Sequence, residues 1–241
     1  MRKFDPSIFE INRDFSVKLY EIGNQKSRLI EVDNFFLYPD QVREFLLSLP
    51  TQDATNLNFP RVNFFPGYQL YLRYELKNLH DFFKEALFET FKYKLDSGLV
   101  FAYQIIDGNH PVYKQSCLPH SDVTYFAANV FLNYDHEIGE SSGTAFYRSK
   151  HTGNELSPPF QSPYRIARDF GNKPADFNRT RISTITQNDD WEMYHLSEQK
   201  FNRLNMYEGF LYHSAFVKFN TFTQTPRISF TVGERTKAYD N

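Results

Sequence analysis

The amino-acid sequence predicts a mostly β fold with flanking helices, and three observations carry that expectation. Its 26 Phe, 16 Tyr and single Trp make up 18% of 241 residues, which suits aromatic-filled pleated strands better than a bundle built on Leu and Ala. From residue 99 onward, strand-like runs at 99–106, 125–134, 143–147, 209–212 and 226–232 are separated by turn residues. Two earlier segments instead place apolar residues at helical steps. Five such runs predict a sandwich or barrel, and the helices would cover one sheet face.

Each element follows from local pattern. Ser16-Val17-Lys18-Leu19-Tyr20 and Arg28-Leu29-Ile30-Glu31-Val32 alternate with a period near two, predicting strands that flank the sheet. Pro39-Asp40 opens a short helix whose Val42, Phe45 and Leu46 recur at helical spacing until Pro50 stops the run. Residues 50–70 are rich in Asn, Pro and Gly and predict an irregular connection. A second helix spans residues 76–93, with Leu79, Phe82, Phe83, Ala86, Leu87 and Phe91 forming an apolar stripe. Residues 148–206 are broken by Ser157-Pro158-Pro159, Ser162-Pro163 and Gly171-Asn172-Lys173-Pro174, predicting a surface insertion or a functional lid. The expected organisation is one structural domain: residues 1–98 supply strands and two supporting helices, and residues 99–235 supply the core.

Charge and composition exclude several function classes. With 27 Lys and Arg against 29 Asp and Glu, the net charge of −2 removes the electrostatic case for a dedicated nucleic-acid or membrane-surface binder. One cysteine, Cys117, rules out an internal disulfide, and no stretch approaches the roughly 20 apolar residues of a membrane helix. A soluble, cytoplasmic protein is expected. Among 10 Gly there is no glycine-rich phosphate loop. Cys117-Leu118-Pro119-His120 lacks the second Cys of a structural zinc set. Between Arg148 and Arg181 there are seven Lys or Arg against three acids, so a lid there would favour an anionic substrate, whereas a solvated loop needs no such partner. Trp191 either lines a pocket or anchors this stretch to the core.

The chemistry lies in two histidines. In His120-Ser121-Asp122 an imidazole and a carboxylate stand two residues apart, so on an extended segment both leave one face toward a single ion. His213, in a later strand-like run, supplies a second imidazole. Two His and one carboxylate on one face of an octahedron leave three positions open, the facial triad of non-haem Fe(II) oxygenases. Arg227 and Ser229 share a strand face, where a guanidinium fork and a hydroxyl suit one carboxylate. Asn129 projects with Phe131, placing a polar group inside the barrel, for co-substrate or substrate contact or for bonding to a neighbouring strand. His80, His110, His136, His151 and His195 lack carboxylate partners at ligand spacing.

On these residues the sequence resembles the 2-oxoglutarate- and Fe(II)-dependent dioxygenase superfamily, in its prolyl 4-hydroxylase-like branch, over about residues 99–235. Asn129-Val130-Phe131-Leu132-Asn133-Tyr134, Ser142-Gly143-Thr144-Ala145-Phe146-Tyr147, Gly209-Phe210-Leu211 and Arg227-Ile228-Ser229-Phe230-Thr231-Val232 are similar to the strands of that branch. Ile30-Glu31-Val32-Asp33-Asn34-Phe35-Phe36, leading to Pro39-Asp40, is similar to an uncharacterised family placed near these oxygenases. The resemblance implies a double-stranded β-helix, a jelly roll of about eight strands. It implies that His120, Asp122 and His213 hold Fe(II), and that Arg227, with Ser229 beside it, holds the distal carboxylate of 2-oxoglutarate. Tyr103 and Tyr113 compete for a further co-substrate contact, with core packing as the alternative for each. The implied reaction consumes dioxygen, releases succinate and CO2, and hydroxylates a small-molecule or peptidyl substrate. Asp122 disfavours halogenation, because halogenases of the superfamily lack that carboxylate. Two readings compete: a non-catalytic metal-binding jelly roll with a sensor or assembly role, and a carbohydrate-binding sandwich, which leaves the ordered His, Asp, His and Arg unexplained.

Overall fold

The computed structural model describes residues 4–53, 67–72, 74–95, 98–109, 119–122, 124–139, 141–157, 189–218 and 221–234. Its elements are β1 (Ser16–Ile22), β2 (Ser27–Asp33), α1 (Pro39–Leu47), β3 (Gln52–Asp53), β4 (Gly67–Leu72), α2 (Lys77–Phe91), β5 (Leu99–Ile106) and β6 (Phe126–Phe131). They continue with β7 (Ser142–Ser149), β8 (Trp191–Glu198), β9 (Leu204–Glu208), β10 (His213–Val217) and β11 (Arg227–Glu234). The strands form two antiparallel sheets, a large one in the order β1-β2-β9-β6-β11-β5-β4-β3 and a small one in the order β10-β7-β8. The expected mostly β architecture is observed. Among the described residues no helix is long and apolar enough to cross a membrane.

Strand parity divides the large sheet into two chemically distinct faces. On β11, Ile228, Phe230 and Val232 join Ala128 and Val130 of β6 and Leu204 and Met206 of β9 in the main apolar core. The helices close that core. Leu79, Phe83 and Leu87 are the buried stripe of α2, and Val42 and Leu46 that of α1. Aromatic edges lock the layers, with Phe9 and Phe36 centred 5.5 and 5.8 Å from Phe230 and Phe83 stacked 6.1 Å from Phe126. Pro39, fixed near helical φ, starts α1, and Lys92 in the left-handed region (φ 54°) ends α2.

The alternate residues, Arg227 and Ser229 of β11, Asn129 and Phe131 of β6 and Asn205 and Tyr207 of β9, face the small sheet. Phe146 of β7 meets Tyr207 edge-on at 5.0 Å, and Asn205 donates to the Thr144 hydroxyl at 2.9 Å. At the far edge Ser197 of β8 donates to the buried Glu31 carboxylate at 2.8 Å. The interval between the sheets is therefore mixed aromatic and polar, unlike the helix side.

Two sequence expectations are corrected here. Residues 209–212 are not a strand but the turn between β9 and β10, and His213 opens β10. The span 148–206 is not one insertion, because β8 lies within it and β9 starts in it, each hydrogen-bonded into a sheet. Trp191 packs against Tyr212 at 4.8 Å and anchors β8 to the outer face of the small sheet. The remaining stretch, 158–188, with most of the basic residues, lies outside the described residues.

Candidate metal centre

His120 and His213 come together through backbone pairing. The His120 amide donates to the His213 carbonyl at 2.9 Å and the His213 amide returns a bond to the His120 carbonyl at 2.8 Å. Two residues on, the Asp122 amide donates to the Gly209 carbonyl at 2.8 Å, which ties the carboxylate to the turn before β10. Gly209 is required there: a Cβ at this position would stand 2.3 Å from the Thr124 carbonyl oxygen. Asp122 lies 3.9 Å from His120 Nε2 through Oδ1 and 3.5 Å from His213 Nε2 through Oδ2. One ligand atom from each of the three falls within 4.8 Å of the others, the one such group among the described residues.

The chemistry of the donors fits a divalent transition ion. Ligands at about 2.0–2.2 Å from one metal sit about 3 Å apart when adjacent, so the group, spread over up to 4.8 Å, would draw in on taking up an ion. His213 Nδ1 is 2.8 Å from the Leu211 carbonyl oxygen, and the proton on that bond leaves the Nε2 lone pair aimed at Asp122. Burial, opposed by the Asp122 charge, pushes the His213 imidazole down to about 4, so it is neutral and ready to ligate near neutral pH. The His213 side chain is 6% exposed, against 55% for His120 and 36% for Asp122, so the cluster is closed behind His213 and open to solvent at His120.

The facing sheet contributes the remaining groups. Arg227 is buried, and its Nε donates to Gln199 Oε1 at 3.1 Å while its guanidinium carbon lies 5.2 Å from the centre of the Phe131 ring. Ser229 shares that face, buried, and its hydroxyl has no hydrogen-bond partner among the described residues. Asn129 donates from Nδ2 to the Tyr207 hydroxyl at 3.4 Å. Tyr207 is the residue sequence reasoning missed. Its ring packs 4.8 Å from that of His213, and burial with the nearby Asp122 charge raises its phenol well above the usual range while Asn129 and Arg227 oppose the rise. Its phenol thus senses the carboxylate of the triad and the buried guanidinium together. The signal was the alternation in Leu204-Asn205-Met206-Tyr207, all but Tyr207 hidden within the stretch assigned to an insertion.

The structure brings His120, Asp122 and His213 together and sets Arg227, Ser229 and Asn129 on the opposed inner face. Tyr103 is not brought there. It pairs with Phe230 in the β5–β11 register and lies in the helix-side core, its hydroxyl buried and raised by burial. Register dictates this placement, because Ser229 opposes Gln104 and the next residue on each strand turns to the other face. Tyr113 lies outside the described residues.

The chain matches the family described as Family of unknown function (DUF6445) over residues 13–228, and it belongs to that family. No curated protein matches it.

Proposed function

We propose that this protein is an Fe(II)- and 2-oxoglutarate-dependent oxygenase that hydroxylates a small-molecule or peptidyl substrate. The observation that carries the reading is the convergence of two imidazoles and one carboxylate, with a buried guanidinium and a hydroxyl that has no partner among the described residues on the facing strand. A double-stranded β-helix is the matching architecture. What supports it is that β9-β6-β11-β5 of the large sheet face the three-stranded sheet β10-β7-β8, whose β10 edge is joined to His120 by an isolated antiparallel bridge, so a jelly roll would place His120 beside β10.

His120, Asp122 and His213 would hold the ferrous ion, with the Leu211 carbonyl fixing the tautomer of His213. Arg227 and Ser229 would receive the distal carboxylate of the keto acid, the guanidinium through paired N–H groups and the hydroxyl as a further donor. Bound iron and keto acid would supply an oxidation in which dioxygen is consumed, CO2 and succinate leave, and a substrate carbon is hydroxylated. The exposed edge at His120 would admit substrate, while Tyr207 and Phe131 exclude water from the inner side.

Anaerobic addition of Fe(II) and 2-oxoglutarate tests the reading. A visible charge-transfer band is expected, abolished by Asp122→Ala and weakened by Arg227→Ala. A wild-type protein that binds Fe(II) but develops no band and forms no succinate in air would instead be the non-catalytic metal-binding protein.

A further inference from the structure

Behind Arg227 runs a chain of buried amides that the metal cluster does not use. Gln199, in the link from β8 to β9, is pinned by its backbone N–H to the Ser142 carbonyl at 2.7 Å. Its Oε1 accepts from the Ser142 hydroxyl at 2.9 Å and from Arg227 Nε at 3.1 Å, and its Nε2 donates to Asn133 Oδ1 at 3.1 Å. Asn133 grips the β11 backbone on either side of Arg227, accepting from the Ile228 N–H at 2.6 Å and donating to the Pro226 carbonyl at 2.8 Å. Arg227 Nη2 reaches the Gly143 carbonyl at 3.4 Å. Asn133, Ser142, Gln199 and Arg227 are all buried.

We propose that Gln199, backed by Asn133 and Ser142, is a positioning residue that aims the Arg227 guanidinium at the carboxylate of a bound diacid. The inference rests on the oxygenase reading and deepens it. Polar groups are costly to bury, and apolar side chains of similar shape would hold the sheets together at lower cost. What the amides add is direction. Because Nε2 must donate to Asn133, Gln199 can only turn its carbonyl oxygen toward Arg227, so the planar fork is fixed along one edge before ligand arrives. Asn133 removes the other freedom by fixing the backbone from which the side chain springs. A flexible guanidinium would still attract an anion, but it would not hold a carboxylate bidentately at one distance from the metal.

The test separates aiming from folding by comparing two keto acids on the Mn(II)-loaded protein by isothermal titration. 2-Oxoglutarate carries the distal carboxylate, whereas 2-oxopentanoate has the same chelating end and chain length with a methyl group in its place. Gln199→Met is expected to weaken 2-oxoglutarate tenfold or more, about 1.4 kcal/mol, and to leave 2-oxopentanoate within about twofold. Ser142→Ala, which removes one donor and little volume, is expected to show the same selective loss at roughly threefold, and it carries the test if Gln199→Met does not fold. Equal losses for both acids, or no loss for either in folded variants, overturn the inference. A wild-type protein that binds metal but neither acid overturns the oxygenase reading itself, a result distinct from failure of the variants alone.

Discussion

A methyl group at Gly209 is the smallest perturbation that should dismantle the candidate metal cluster. In Gly209→Ala the new carbon would stand 2.3 Å from the Thr124 carbonyl oxygen and 2.8 Å from its hydroxyl. Ordinary carbon–oxygen contact needs roughly 1 Å more than the shorter of these, so the bend at Thr124 and the Gly209 turn must part by about that much. Asp122 is bonded to the Gly209 carbonyl at 2.8 Å and Gly209 itself to Tyr125 at 3.0 Å, so the displacement passes directly to the carboxylate. The Asp122–His213 separation of 3.5 Å would widen further from the roughly 3 Å that adjacent ligands of one ion require. Affinity for Mn(II) or Co(II), read by calorimetry, should fall by about 10- to 100-fold or more, with a stability loss of about 1–3 kcal/mol. Gly233→Ala is the control, since a methyl group there meets nothing within 4 Å. Unchanged metal affinity in a folded Gly209→Ala protein would refute the account of how Asp122 is placed.

Metal should stabilise the wild-type fold by about 2.7 kcal/mol at a hundred times its dissociation constant, and Asp122→Ala should erase that increment in thermal melts. Glu155 has a wholly buried side chain that accepts from the Asn24 and Gln25 amides at 3.0 and 3.2 Å and from Arg148 Nε at 2.8 Å. Glu155→Gln should therefore cost about 2–4 kcal/mol in denaturant unfolding, whereas a cost under about 0.5 kcal/mol would deny that this carboxylate staples the β1–β2 turn. Burial lowers the pKa of His195, so as pH falls through the unfolded value near 6.5 the unfolded chain takes the proton first and stability declines. His195→Gln should flatten that decline by less than about 1.4 kcal/mol per pH unit, and an equal slope in both proteins would count against a neutral His195.

Much of this fold is legible along the chain where one face is apolar and the period is clean. The stripe Leu79, Phe83, Leu87 reads as α2, and the runs that became β5, β7 and β11 stand out for their aromatic and branched residues. Strand β8 is obscured for a local reason: a register irregularity opposite Phe146 and Tyr147 breaks the alternation of Trp191-Glu192-Met193-Tyr194-His195. Strand β9 is obscured because both its faces are buried, with Leu204 and Met206 toward the helices and Asn205 and Tyr207 toward the small sheet. The candidate cluster is readable in part because His120 and Asp122 stand two residues apart in sequence. Tyr103 and Tyr207 could not be sorted the same way, since which of them faces the cluster depends on the pairing of strands far apart in the chain.

The large sheet acts as a septum, with a greasy compartment on one side and a chamber of mixed polar and aromatic side chains on the other. Along β11 every second side chain belongs to a different compartment, so slipping the strand by a single position would thrust Phe230 into the chamber and strand a guanidinium among phenylalanines. Both errors are severe, and each guards against the other. The alignment that makes the protein stable is for that reason the same one that loads Arg227 into the chamber.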